Sequence, residues 1–140
     1  MKLNALFEPD ENLDARILNL EKQLGAQLPE GYIAFLKQMN GASLAEGCNE
    51  DLEIQVPGGT YTDLNVLYGS GEWIYTAARL EFWLDNRPYP MSLLVGSDSG
   101  GNNFWISLRP EDYGTVHFWD KDEILADGQI AESWTEFLDF

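Results

Sequence analysis

One cysteine and one histidine in the whole chain remove several kinds of chemistry at once. Cys48 alone cannot form an intramolecular disulfide, and a single Cys with a single His cannot supply the clustered ligands of a zinc site. Nucleophilic catalysis needs a nucleophile and a base to activate it. Cys48 sits in "AEGCNED", an anionic neighbourhood that disfavours a thiolate, and strand alternation in "TVHFW" puts His117 opposite Val116 and Phe118, in a solvent-side or rim position. Basic residues are scarce too. Eight Lys and Arg stand against 24 Asp and Glu, a net charge of -16, which opposes both nucleic-acid backbones and anionic lipid. Neither is expected as a direct partner. No long hydrophobic run is present, and the start "MKLNALFEPDE" has no apolar core of signal-peptide or membrane-span length, so a cytoplasmic location is expected.

What is present is the composition of a packed fold: 140 residues, 44% of them hydrophobic and 13% aromatic. No repeat or linker divides the chain, so one domain is expected over residues 1–140. In "DENLDARILNLEKQLG" Leu13, Ile17, Leu20 and Leu24 recur at helical intervals, with Asp10 as candidate N-cap and Gly25 as stop. "LPEGYIAFLKQMNG" predicts a second helix with an apolar face of Tyr32, Phe35, Leu36 and Met39, closed by Asn40 and Gly41. These two form an N-terminal helical hairpin. Alternating apolar residues predict strands in "DLEIQVP" and in "LNVLYG", where Leu64, Val66 and Tyr68 share a face. A middle helix is expected from Glu72 to Asp85.

Strands are then predicted at 91–95, 103–108 and 115–119, separated by "GSDSGGN" and "RPEDYG". "IAESWTEFLDF" reads as a short C-terminal helix with Ile130, Trp134, Phe137 and Leu138 on one side. The fold class is therefore α+β, a single domain with a mainly antiparallel sheet, an N-terminal helical hairpin, a middle helix and a short C-terminal helix.

The glycine-rich centre of "LLVGSDSGGNNFWISL" reads as a turn. A phosphate cradle opens a helix, whereas this loop opens a strand. As a calcium loop it lacks the D-x-[DN]-x-[DN]-G spacing and the following Glu. Gly96, Gly100 and Gly101 permit positive φ, and Asp98, Asn102 and Asn103 can satisfy turn backbone groups. No cofactor, metal or catalytic residue is assigned. The acids are unevenly spread: nine against one base, Lys121, lie between Pro110 and Phe140, giving half of the net charge. They form either a solvating face or a surface for a basic protein.

Four blocks in order resemble the SMI1/KNR4 superfamily, also called SUKH: "ILNLEKQLGAQLPEGYIAFLKQMNGA", "LLVGSDSGGNNFWISL", "YGTVHFWDKDE" and "IAESWTEFLDF". Asn102 or Asn103 stands where an acid is common in that family. The resemblance implies an α+β, non-catalytic immunity protein that binds and neutralises a cognate protein toxin, often a nuclease. A related implication is a scaffold module binding an endogenous protein, for which Trp73, Tyr75, Trp83 and Tyr89 are candidate exposed rings. For toxin capture the candidate partner-binding residues are acids in loops beside the sheet: Glu46, Glu50, Asp51, Asp98, Asp120, Asp122 and Glu123. An unrecognised hydrolase would have to work through carboxylates such as Asp98, or through His117.

Overall fold

The computed structural model describes residues 1–70, 83–85, 87, 89–120 and 128–140. Strand β1 (Leu3–Phe7) is followed by the helical hairpin α1 (Leu13–Leu24) and α2 (Glu30–Gln38), then β2 (Asn40–Leu44), β3 (Ile54–Val56), β4 (Thr60–Thr62) and β5 (Val66–Leu67). After these come β6 (Ser92–Ser97), β7 (Asn103–Ser107), a 3₁₀ turn (Pro110–Asp112), β8 (Val116–Trp119), β9 (Gly128–Ala131) and the short helix α3 (Trp134–Leu138). Seven strands form one antiparallel sheet in the order β1-β2-β5-β6-β7-β8-β9, and β3 pairs with β4 in a separate hairpin. The fold is the α+β domain expected. No helix among the described residues is long and apolar enough to cross a membrane.

Both faces of the sheet centre are covered. Leu67, Leu93, Val95, Phe104, Ile106, Val116 and Phe118 turn to the main core, where Leu13, Ile17, Tyr32, Phe35, Leu36, Trp134 and Phe137 of the helices meet them. Tyr68, Leu94 and Trp105 turn the other way and pack with Trp83, Tyr89 and Trp119. Central strands of this kind read as continuous apolar runs. The face opposite Val116 and Phe118 is therefore not solvent, and His117, expected at a rim, is only 6% exposed. Its ring stacks on Trp105 at 4.1 Å between centroids, with 17° between planes.

Several local expectations change for similar reasons. Asn12, not Asp10, is the residue preceding α1; Asp10 lies outside and accepts from the Asn12 N–H at 2.9 Å. Gly25 does stop the helix, at φ 72°. Asn40 and Gly41 do not cap α2, because the chain turns extended at Met39 and enters β2. Leu64 precedes β5 and packs in the main core with Leu67, while Val66 and Tyr68 belong to the opposite cluster. Ile130 is a strand residue of β9, so the final helix begins at Trp134, where the Ser133 hydroxyl accepts from the Glu136 N–H at 3.1 Å. Of the expected middle helix, Trp83–Asp85 is helical and the rest lies outside the described residues, as do Trp73 and Tyr75. Trp83 is buried and Tyr89 half-buried, so neither is an exposed ring.

Candidate functional site

Antiparallel order decides which loops meet. The pairs Leu3↔Leu44, Val66↔Ser97, Ser97↔Asn103, Asn103↔Trp119 and Phe118↔Gly128 bring the start of β1, the end of β2, the start of β5, the β6–β7 turn and the end of β8 to one end of the sheet. Five of the seven nominated acids fall in these segments: Glu46, Glu50, Asp51, Asp98 and Asp120. Asp122 and Glu123 lie outside the described residues. The same segments carry Glu53 and Asp63, both exposed, and Lys2 is their one cation among the described residues.

Position at this end does not mean access to a partner. Glu46, Glu50 and Asp51 are exposed, on a loop fastened to the sheet by one side chain. Asn49 Oδ1 accepts from the Lys2 N–H at 2.7 Å, and Asn49 Nδ2 donates to the carbonyls of Lys2 at 2.8 Å and Ala45 at 3.0 Å. Asp98 is different: 4% exposed, it accepts from the Thr62 hydroxyl and the Asn102 N–H, each at 2.7 Å, and from Asn102 Nδ2 at 3.1 Å. Its carboxylate is folded into its own turn, and in this arrangement it presents nothing to a partner. Asp120 is likewise buried. Asp63, which sequence reasoning missed, takes the outer position instead and accepts from the Ser99 N–H at 2.9 Å. Its signal was its place just before the "LNVLYG" strand, at the same end as the glycine turn.

The opposite end holds the only described histidine, within a polar network that by residue type suggests hydrolytic chemistry. Asp112 accepts from Ser107 Oγ and from Arg109, through Nε at 3.0 Å and through a charge-paired terminal nitrogen. His117 Nε2 lies 2.7 Å from Thr115 Oγ1 and 3.5 Å from Asp112 Oδ2. Ser107 is fully buried, so its hydroxyl, which donates to the Asp112 carboxylate, is closed off from any substrate in this arrangement. The network ties the β7–β8 connection together, and Arg109 also lies 5.1 Å from the Tyr89 ring centroid and 5.7 Å from that of Trp105. Among the described residues no group of three or more His, Cys, Asp or Glu could hold a metal ion.

Burial alone would raise the Asp112 carboxyl, but hydrogen bonds from Arg109 and Ser107 and the charges of Arg109 and His117 outweigh it and hold the group below its ordinary value. A depressed folded-state value stabilises the fold above the unfolded carboxyl range, near pH ~4, and that contribution disappears as pH falls through the folded value. Asp112→Asn is therefore expected to lower Tm at neutral pH and to flatten its decline between about pH 4 and 2. Thermal melts across that range check it; a parallel decline in both proteins counts against the linkage.

The SMI1/KNR4 family (SUKH-1) matches residues 13–139. The chain belongs to this family. No curated protein matches it. As a SUKH-1 domain it places the family-like turn at β6–β7, where Asp98 and Asn102 close the loop on themselves, while β1 lies ahead of the matched residues. Of the nominated acids among the described residues, the exposed ones are Glu46, Glu50 and Asp51 of the β2–β3 loop.

Proposed function

We propose that this SUKH-1 domain is a non-catalytic bacterial immunity protein, acting in the cytoplasm, that binds and neutralises a basic cognate protein toxin, with nucleases the best-fitting class. Exposed Glu46, Glu50 and Asp51 gathered with Glu53 and Asp63 at one end of the sheet carry the reading. A toxin that grips polyanionic substrates presents a basic surface, and an anionic surface can cover it with fast, salt-sensitive association. Asp122 and Glu123 belong to the same proposal through their place between β8 and β9 in the sequence. The net charge of -16 adds long-range attraction to such a partner.

The test is co-expression with a toxin-like product encoded beside the gene, scoring host growth and then complex formation. Rescue with a stable complex is the expected result. With the purified pair, the triple variant Glu46→Lys, Glu50→Lys, Asp51→Lys is expected to slow association on the order of 10- to 100-fold at low salt with little change in Tm. Unchanged association would remove the acidic loop from the interface. Absence of rescue, with a housekeeping protein recovered instead, would favour the scaffold role.

A further inference from the structure

At the end of the sheet opposite the acidic loops, the α1–α2 link, the connection between β7 and β8 and the turn from β9 into α3 border an open groove of about 490 Å³. Buried Leu28 and Trp134 lie beneath it, and Pro29, Gly31, Tyr113 and Gly114 line its sides. Tyr113 is 46% exposed although its hydroxyl is engaged, donating to the Gln27 carbonyl at 2.7 Å. Two further side chains fasten the walls: Glu21 Oε2 accepts from the Leu28 N–H at 2.7 Å, and Glu136 Oε2 accepts from the Glu132 N–H at 3.3 Å. The groove is therefore formed before any ligand arrives, which lowers the ordering cost of filling it.

Charge then decides what fits. The charged side chains lining the groove are Glu30 and Glu132, both exposed, and no Lys or Arg lines it among the described residues. Glu30 acts on the ring itself: burial, then the charges of Glu21 and Glu30, push the Tyr113 hydroxyl above its ordinary value. Anions, which the start of α2 would otherwise attract, are repelled. A cation on an apolar stem suits Pro29, the Tyr113 ring and the two carboxylates together. Of the two basic side chains, arginine has the flat, weakly hydrated head that stacks on a ring while donating in its own plane.

We propose that this groove binds an arginine side chain on the surface of a protein partner, its stem along Pro29 and its guanidinium against the Tyr113 ring, within reach of Glu30 and Glu132. The site is separate from the acidic loop that carries the immunity reading, and it stands whether or not that reading holds. A protein held at the acidic end leaves the groove open.

The probe is the blocked tripeptide acetyl-Gly-Arg-Gly-amide, titrated into the nitrogen-labelled full chain at about 0.1 M salt and followed by two-dimensional NMR. Saturable shifts of the Gly31 and Gly114 amides and of the Trp134 indole, with Kd in the millimolar range, are expected. The lysine counterpart should bind about three-fold more weakly or worse. Glu30→Gln combined with Glu132→Gln should weaken the arginine peptide about ten-fold, and Tyr113→Leu about three-fold, while Tyr113→Phe, which keeps the ring, should stay within about two-fold. The loop variant Glu46→Gln, Glu50→Gln, Asp51→Asn removes charge only at the other end and should also stay within about two-fold. Failure to saturate by about 20 mM peptide overturns the proposal, as does equal affinity for the lysine peptide. A loop variant that weakens binding as much as the groove pair overturns it too, since that is general attraction to an acidic chain. If Tyr113→Leu folds poorly, the exposed carboxylate pair still decides.

Discussion

Gly69→Ala is expected to destabilise the domain by about 3 kcal/mol or more, the upper range for forced overpacking. A Cβ at position 69 would lie 2.3 Å from the Gly41 backbone nitrogen and 2.4 Å from Asn40 Oδ1. Neither neighbour can retreat easily. Gly41 is in β2 at φ 75°, a left-handed conformation, and the Asn40 side chain is committed, donating to Glu8 O and accepting from the Ser70 N–H at 2.9 Å. The clash therefore falls on main chain where β2 passes the end of β5, beside the single register pair Ala42↔Leu67 that joins these strands. For a domain whose total stability is on the order of 5–15 kcal/mol, the expected readout is a Tm lower by about 10 °C or more, or loss of soluble protein. A Tm within about 2 °C of wild type would show that the two strands can separate there without cost.

Phe104→Ala should have a similar effect by the opposite route, leaving a hole in place of a clash. Phe104 is fully buried on β7, the strand between β6 and β8, and its ring meets Phe118 at 5.6 Å and Phe137 at 5.4 Å. Through Phe137 its ring joins α3 to the middle of the sheet. Truncating a buried Phe costs about 3–5 kcal/mol, from lost transfer energy and from the cavity that rigid neighbours do not refill. Phe104→Leu, which keeps most of the volume, should cost less than half as much. Urea unfolding of both variants decides the matter: equal losses would mean that the contact with the rings, rather than the filled volume, is what matters.

Where apolar runs were bracketed by clusters of turn formers, the sequence was readable. β6, β7 and β8 fall within one or two residues of the expected 91–95, 103–108 and 115–119, and α1 and α2 follow their periodicity. β3 and β5 fall within the predicted "DLEIQVP" and "LNVLYG" runs, whereas β1, β2, β4 and β9 were missed, because three to five residues without bracketing turn formers give too little alternation to count. β2 begins with Asn40-Gly41, a pair that suits a helix cap equally well, and β9 runs into the pattern of the helix after it. At the acidic end, composition identified the residue type and the loops but not which carboxylates face water. Asp98 and Asp63 both stand in polar loops beside strands; Asn102, four residues after Asp98, wraps one of them. That distinction depends on how a turn closes, and charge counting carries no trace of it. His117 shows the same limit, since alternation gives the face of a strand but not what lies over that face.

Asn49 has a consequence for how the acidic loop would meet a partner. Through its side chain it grips the backbone on both sides, Lys2 and Ala45, and the Leu52 N–H closes onto its carbonyl at 3.0 Å. A loop held in this way has already given up its conformational freedom within the folded monomer. Docking then carries less ordering entropy than it would for a loose acidic tail of equal charge. In the proposed complex the charges would set how quickly a partner arrives, and the rigidity to which Asn49 contributes would favour a long stay.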